Sequence, residues 1–215
     1  MATRTQNVKY NSFLSPKLTA FLQRRASELI GIILFLIGSV LTVGILGYDS
    51  SDPSWNHSIA SEASNPFGPI GAWVSDLLIQ ILGGTAILPG IIFIVWGWRT
   101  GRHHATSRLS IRIYTFIVAL AFSTNFLAGL ETIVPFQTET SLGGVVGNLC
   151  ITYLLDIIRP IGFPFWPILA IIGVLSAGAI TITCGVTREE GKKTLKAAAL
   201  FLKRASIISF IFFLW

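Results

Sequence analysis

Four stretches of this chain, 29–47, 77–98, 113–130 and 165–185, run for 18 to 22 residues without a single charge. As helix, each covers about 27–33 Å, the thickness of a bilayer's hydrocarbon core. Backbone groups cannot go unpaired in lipid, so helices are expected. The alternating segments that a β-barrel would need are absent. Of 215 residues, 52% are apolar and 12% charged, about half the charge of a soluble domain. That excludes a disordered chain and an ordinary soluble enzyme. The expectation is an all-α integral membrane protein with four transmembrane helices and short interfacial helices at the outer side.

Lysine and arginine set the orientation. Residues 1–28, the segment between the second and third stretches, and residues 186–215 hold 15 of the 16 basic residues, with Glu28, Glu189 and Glu190 as their acids. The remaining connections carry Asp49, Asp52, Glu62, Asp76, Glu131, Glu139 and Asp156 against Arg159 alone, a split of +12 to −6. The basic side is expected to be cytoplasmic, with both termini inside and the acidic loops outside. The chain thus divides into a basic amino-terminal segment (1–28), a four-helix membrane domain (29–185) and a basic tail (186–215). A fifth apolar segment, 143–158, contains Asn148 and Asp156. A full crossing there would put the basic tail outside, so it is expected to lie at the outer interface or dip in partway. No small-residue cleavage pattern follows the first stretch, which reads as an uncleaved anchor.

The chain reads as two similar halves, each a span, an acidic loop, a short glycine-led helix and a second span. Setting Gly71 against Gly143 pairs Asp76 with Asn148, both expected near a helix amino terminus. Gly173, Ala177, Thr181 and Gly185 recur every four residues, and small residues at that spacing let helices pack closely. Gly31, Gly38 and Thr42 offer a similar stripe in the first span. Packing within the four-helix unit and a subunit interface are both readings of these stripes. Pro89 is expected to kink the second span. Trp55, Trp73 and Trp166 fall near the outer interface, and Trp96 and Trp98 near the inner one.

Chemistry-bearing constellations are scarce. His57, His103 and His104 have no cysteine or carboxylate cluster beside them, so no metal site is expected. Cys150 and Cys184 lie far apart and give no disulfide framework. Gly191-Lys192-Lys193-Thr194 lacks the first glycine of a phosphate loop and its threonine stands one place late. No cofactor is expected. The basic segments suit anionic lipid. They lack the aromatic interleaving of a nucleic-acid groove, so direct nucleic-acid binding is not expected. Gln80 and Asn125 are the main polar residues inside the spans, and both read as packing hydrogen bonds. A small multi-pass transporter or channel subunit is the alternative to a non-catalytic anchor, and its polar midplane cavity is not visible in the sequence.

After the first span comes Tyr48-Asp49-Ser50-Ser51-Asp52-Pro53-Ser54-Trp55. It resembles the YD-x-x-DPS-W signature in the membrane domain of FtsK/SpoIIIE-type DNA translocases. The segment 68–76, with Gly71 and Asp76, resembles that domain's next block. Pro89 with Trp96-Gly97-Trp98 resembles the end of its second span, and Gly143, Gly144 and Gly147 resemble its GG-x-x-G block. The resemblance covers about 25–190. It implies a four-span anchor in the bacterial inner membrane, acting in cell division and chromosome segregation. It also implies septal enrichment, contact with membrane proteins of the division machinery and hexamer assembly. In that family the motor lies far downstream, so the chain is expected to be a truncated translocase, a fragment or a stand-alone membrane domain. Residues 194–204 read as a basic surface helix. The apolar tail 205–215 is too short to span.

Overall fold

The computed structural model describes residues 15–54, 63–102, 109–134, 141–162 and 164–186. Trp55, His57, His103, His104 and residues 187–215, singled out in the sequence, lie outside them. Among the described residues six α-helices follow one another: α1 Pro16–Leu46, α2 Gly68–Leu82, α3 Ile87–Gly101, α4 Leu109–Ile133, α5 Gly144–Ile158 and α6 Phe165–Thr183. Single 3₁₀ turns, Gly83–Ala86 and Arg159–Ile161, follow α2 and α5. Helix α1 starts well before the apolar run. Ser15 caps it by accepting from the Leu18 N–H at 3.3 Å, and Pro16 occupies its first position, where a missing N–H costs nothing. Its polar first turns carry Arg25, whose Nη1 lies 2.6 Å from Glu28.

Large apolar side chains point outward and small ones inward. Leu29, Ile33, Trp166 and Val174 are exposed, whereas Gly31, Gly38, Ala86, Gly90, Gly97, Ala119 and Ala128 are buried. In water this surface would be untenable; in lipid, which is as apolar as leucine, close backbone packing holds helices together. The protein is therefore an all-α integral membrane protein. Among the described residues five helical stretches are long and apolar enough to cross: Pro16–Leu46, Gly68–Gly101, Ser110–Ile133, Gly144–Ile161 and Phe165–Thr183. That is one more than the expected four.

Two antiparallel pairs form the body. In the first, Gly31 of α1 meets Gly97 and Gly101 of α3, and Gly38 meets Gly90 and Ile94. In the second, Leu169 of α6 lies against Gly129 of α4, Gly173 against Phe126, and Ser176 Oγ is 2.7 Å from Ser123 Oγ. The short helices do not run alongside. Helix α2 touches α1 at Gly44, through Phe67 and Ser75. Helix α5, entered through Gly143 on Ala128, sets Gly147 on Thr124 and Ile151 near Gly129, so it packs on the carboxy-terminal part of α4. Both therefore lie at the end of the bundle that carries Asp49, Asp52, Glu131 and Asp76, the acidic end.

Three expectations need correction. The stretch 77–98 is not one helix. Gly83 has φ +61°, and the N–H of Gly84 leaves the helix to bond Leu142 O at 2.8 Å. The interruption near Pro89 is a 3₁₀ turn, Gly83–Ala86, that ends just before it, with Pro89 third in the α3 that follows. The stripe Gly173, Ala177, Thr181, Gly185 does not pack as a unit within the chain. Gly173 meets Phe126, but Ala177 and Thr181 are exposed. A four-residue repeat drifts about 40° per step on a helix of 3.6 residues per turn. The buried set is Leu169, Ile172, Ser176, Ala179 and Thr183, whose mixed spacing of three and four stays on one face.

Candidate functional site

The loop leaving α1 is where most of the singled-out residues gather. Helix α1 ends with carbonyls that lack an intrahelical donor. The side-chain amide of Asn65 supplies one: its Nδ2 donates to Gly44 O at 2.9 Å and to Gly47 O at 3.2 Å. Its Oδ1 accepts from the Phe67 N–H at 3.1 Å, and its own carbonyl accepts from Gly68 N–H at 2.8 Å. Asn65, 4% exposed, thus joins the end of α1 to the start of α2. Gly71 must be glycine there, since a Cβ would collide with Asn65 Oδ1 and Phe67 Cβ.

Asp52 holds Asn65 in place. Its carboxylate is buried and accepts from the backbone N–H groups of Ser64 at 2.6 Å and Asn65 at 3.0 Å. Asp49 shapes the turn that presents it. Asp49 Oδ1 accepts from Ser51 N–H at 2.8 Å, and Asp52 N–H donates to Asp49 O at 3.1 Å, a local turn that aspartate favours. The backbone hydrogen bond from Ser51 holds the Asp49 carboxyl below its usual 3.8. Pro53 is half-buried at the loop's exit.

Asp76 belongs to the same cluster. Tyr48 donates its hydroxyl to Asp76 Oδ1 at 3.4 Å, and Gln80 Nε2 donates to Asp76 Oδ2 at 2.7 Å. Asp76 is the ninth residue of α2, so the helix amino terminus does not explain it; the tyrosine and glutamine do.

A second cluster repeats the scheme. Glu131 Oε2 accepts from Ser141 Oγ at 2.8 Å and from Leu142 N–H at 2.9 Å, and Asn148 Nδ2 donates to Ser141 Oγ at 2.8 Å. Gly144, at φ +61°, and Gly147 sit under it, against Gly83 and Thr124. The segments entering α2 and α5 are thus each tied to a carboxylate through backbone N–H groups.

Sequence reasoning missed Asn65, for which the pair Asn65-Pro66 was the available signal, and Glu131, whose place at the end of a span was one. Among the described residues no three His, Cys, Asp or Glu side chains converge as metal ligands. The polar groups of these two clusters cap helices and close loops.

The family model for the 4TM region of DNA translocase FtsK/SpoIIIE matches residues 23–203. The chain is 32% identical over 197 residues to the DNA translocase FtsK of Azospirillum brasilense, covering 89% of this chain and 31% of that one. It is 30% identical to that of Bradyrhizobium diazoefficiens, covering 82% of this chain and 22% of that one. It is 29% identical to that of Caulobacter vibrioides, covering 78% and 21%. The chain therefore spans between a fifth and a third of the length of these relatives. No solved structure matches it.

Proposed function

This chain belongs to the family of the 4TM region of DNA translocase FtsK/SpoIIIE, and from that membership we propose that it is a non-catalytic anchor and docking module serving such a translocase in bacterial cell division and chromosome segregation. It sits in the inner membrane as a multi-pass protein. In this reading α1, α3, α4 and α6 cross the bilayer, while α2 and α5 recline at the outer surface. The basic end faces the cytoplasm with both termini, following the asymmetry of lysine and arginine. The acidic end, stiffened by the Asp52–Asn65 and Glu131 clusters, is the face offered to other membrane proteins of the division machinery.

The observation that carries this reading is the coincidence of the family match with the latch. Tyr48, Asp52, Gly71 and Asp76, which carry the sequence resemblance, converge with Asn65 on the end of α1. The described residues there order a surface rather than line a reaction site. Homo-oligomer formation, a hexamer by analogy with the resemblance, is part of the proposal, as is septal enrichment.

A fluorescent fusion of the full chain tests it. Concentration at the division septum is expected, and loss of that concentration in Asn65→Ala at unchanged membrane levels. Uniform membrane distribution of the unmodified fusion, together with solute flux in liposomes, would instead fit a transporter.

A further inference from the structure

At the basic end, three elements bring two guanidinium groups together. Trp96 of α3 donates its indole N–H to Thr183 O, the last residue of α6, at 2.7 Å. Its ring packs with Phe93 and Phe116 at centroid distances of 5.8 and 5.9 Å. The Arg112 guanidinium of α4 lies 5.8 Å from the same ring. Arg99 stands one turn beyond Trp96 on α3. Both arginines converge on Gly185, just past the end of α6. A Cβ built there would lie 3.6 Å from Arg112 Nη2 and 3.6 Å from Arg99 Nε.

Arg112 is 5% exposed, and its Nε and Nη2 are buried with no acceptor among the described residues. The end of α6 does not supply one. Ile180, Thr181 and Ile182 carbonyls already accept from Cys184, Val186 and Gly185 N–H groups, and Thr183 O is taken by Trp96. A buried guanidinium keeps its charge, and covering its donors without an acceptor is costly. An oxyanion beside Gly185 would lie within reach of a donor from each arginine, and guanidinium donors favour phosphate as an acceptor.

We propose that Arg112 and Arg99, set around Gly185, form a binding site for the phosphate of an anionic phospholipid headgroup. Phosphate is the oxyanion that a bilayer concentrates at this depth. The neighbouring surface is built for the same boundary: Trp98 is 53% exposed, and the Arg102 guanidinium lies 4.0 Å from its ring. The site rests on the reading that the basic end lies at a membrane surface. It fastens α3, α4 and α6 together at that surface, so lipid composition acts on the joint between the two helix pairs.

The test measures thermal unfolding of the full chain in nanodiscs of phosphatidylcholine, with and without phosphatidylglycerol, and with inorganic phosphate as a third arm. Phosphatidylglycerol is expected to raise the midpoint by about 5 °C. Arg112→Gln should abolish the rise. If that variant does not fold, Arg112→Lys, which keeps the charge but not the planar fork, should lose most of it. Gly185→Asp places a carboxylate in the site on a backbone that aspartate tolerates at positive φ. It should melt high in phosphatidylcholine alone and gain nothing further from phosphatidylglycerol. Equal midpoints for the unmodified protein in both lipids, or an undiminished rise in the Arg112 variants, would overturn the site. A rise with inorganic phosphate but not with phosphatidylglycerol would overturn the lipid assignment. So would a lipid response that emerges only in Glu189→Gln/Glu190→Gln, where the tail's own carboxylates have been removed. The topology reading fails separately, on side-of-membrane labelling.

Discussion

The two halves of the molecule use one plan and different fastenings. Each begins with a long helix, α1 or α4, and continues with a 15-residue helix opened by a glycine at positive φ, Gly68 at +63° or Gly144 at +61°. A 3₁₀ turn follows, then a helix with proline in third place, Pro89 in α3 and Pro167 in α6. Helices α1 and α3 of the first half meet backbone to backbone at glycines. Those of the second half meet through side chains: the Phe126 ring on Gly173 and the Ser123–Ser176 hydrogen bond. The entry to the short helix is held in the first half by a buried aspartate and asparagine. In the second it is held by the single half-buried Glu131. A shared layout thus does not imply shared sensitivity. Where backbones touch, nothing can give way; where side chains intervene, the contact can adjust.

That contrast can be broken most sharply at the glycines. Gly38→Leu drives a side chain into the backbone of Gly90 and Ile94 and should cost 3 kcal/mol or more, judged from overpacking costs of about 1–3 kcal/mol in yielding cores. Little folded protein should survive detergent extraction. Gly173→Ala meets only the Phe126 ring and should cost about 1 kcal/mol. Equal losses on size-exclusion profiles would erase the distinction between the halves. The loop fastenings come next. Asn65→Ala removes donors to Gly44 and Gly47 carbonyls and should cost about 2 kcal/mol, whereas Glu131→Gln should cost about 1 kcal/mol. Comparison of thermal midpoints checks the order.

The smallest effect concerns Asp49, which is exposed and has no counterpart in the second half's latch. Its carboxyl is held below the usual 3.8 by the Ser51 N–H. A lowered folded-state value means that the ionised form stabilises. The contribution is present above pH 3.8 and lost as pH falls through the folded-state value. The gap in thermal midpoint between the unmodified protein and Asp49→Ala should therefore close on acidification below that pH. A gap that widens instead would assign the turn to other contacts.

Much of the architecture was legible because lipid leaves few options. Uncharged runs of span length fix helices, and glycines mark where backbones approach. The two-half plan was also visible, but its register was not. Matching Gly71 with Gly143 sets the halves one turn apart from the alignment the helices support, in which Gly68 corresponds to Gly144 and Gly71 to Gly147. Both halves contain G-x-x-G, at Gly68/Gly71 and at Gly144/Gly147, but the register four residues away pairs Val74 with Val146, Leu77 with Leu149 and Ile79 with Ile151, so the letters support either. Only the positive φ distinguishes the glycine that opens the helix. The break at Gly83 was hidden for a similar reason: the run 77–98 is apolar throughout, and hydropathy carries no signal for a bond leaving the helix to Leu142. The latch was half legible. Asp52 and Asp76 stood out as acids, but Asn65 acts across a loop, with a partner 21 residues away at Gly44. Arg112 appeared as one more basic residue, since charge counting does not reveal burial.

The central claim is that four helices cross the bilayer and that α5, though long and apolar enough, packs on the carboxy-terminal part of α4 at the acidic end. Single cysteines at Ser58, Thr138 and Ser206, in a chain with Cys150 and Cys184 replaced by alanine, test it with a membrane-impermeant maleimide on intact cells. The account predicts labelling at Ser58 and Thr138, and labelling at Ser206 only after the inner membrane is opened. Labelling of Ser206 in intact cells would mean that α5 crosses, and would contradict the account.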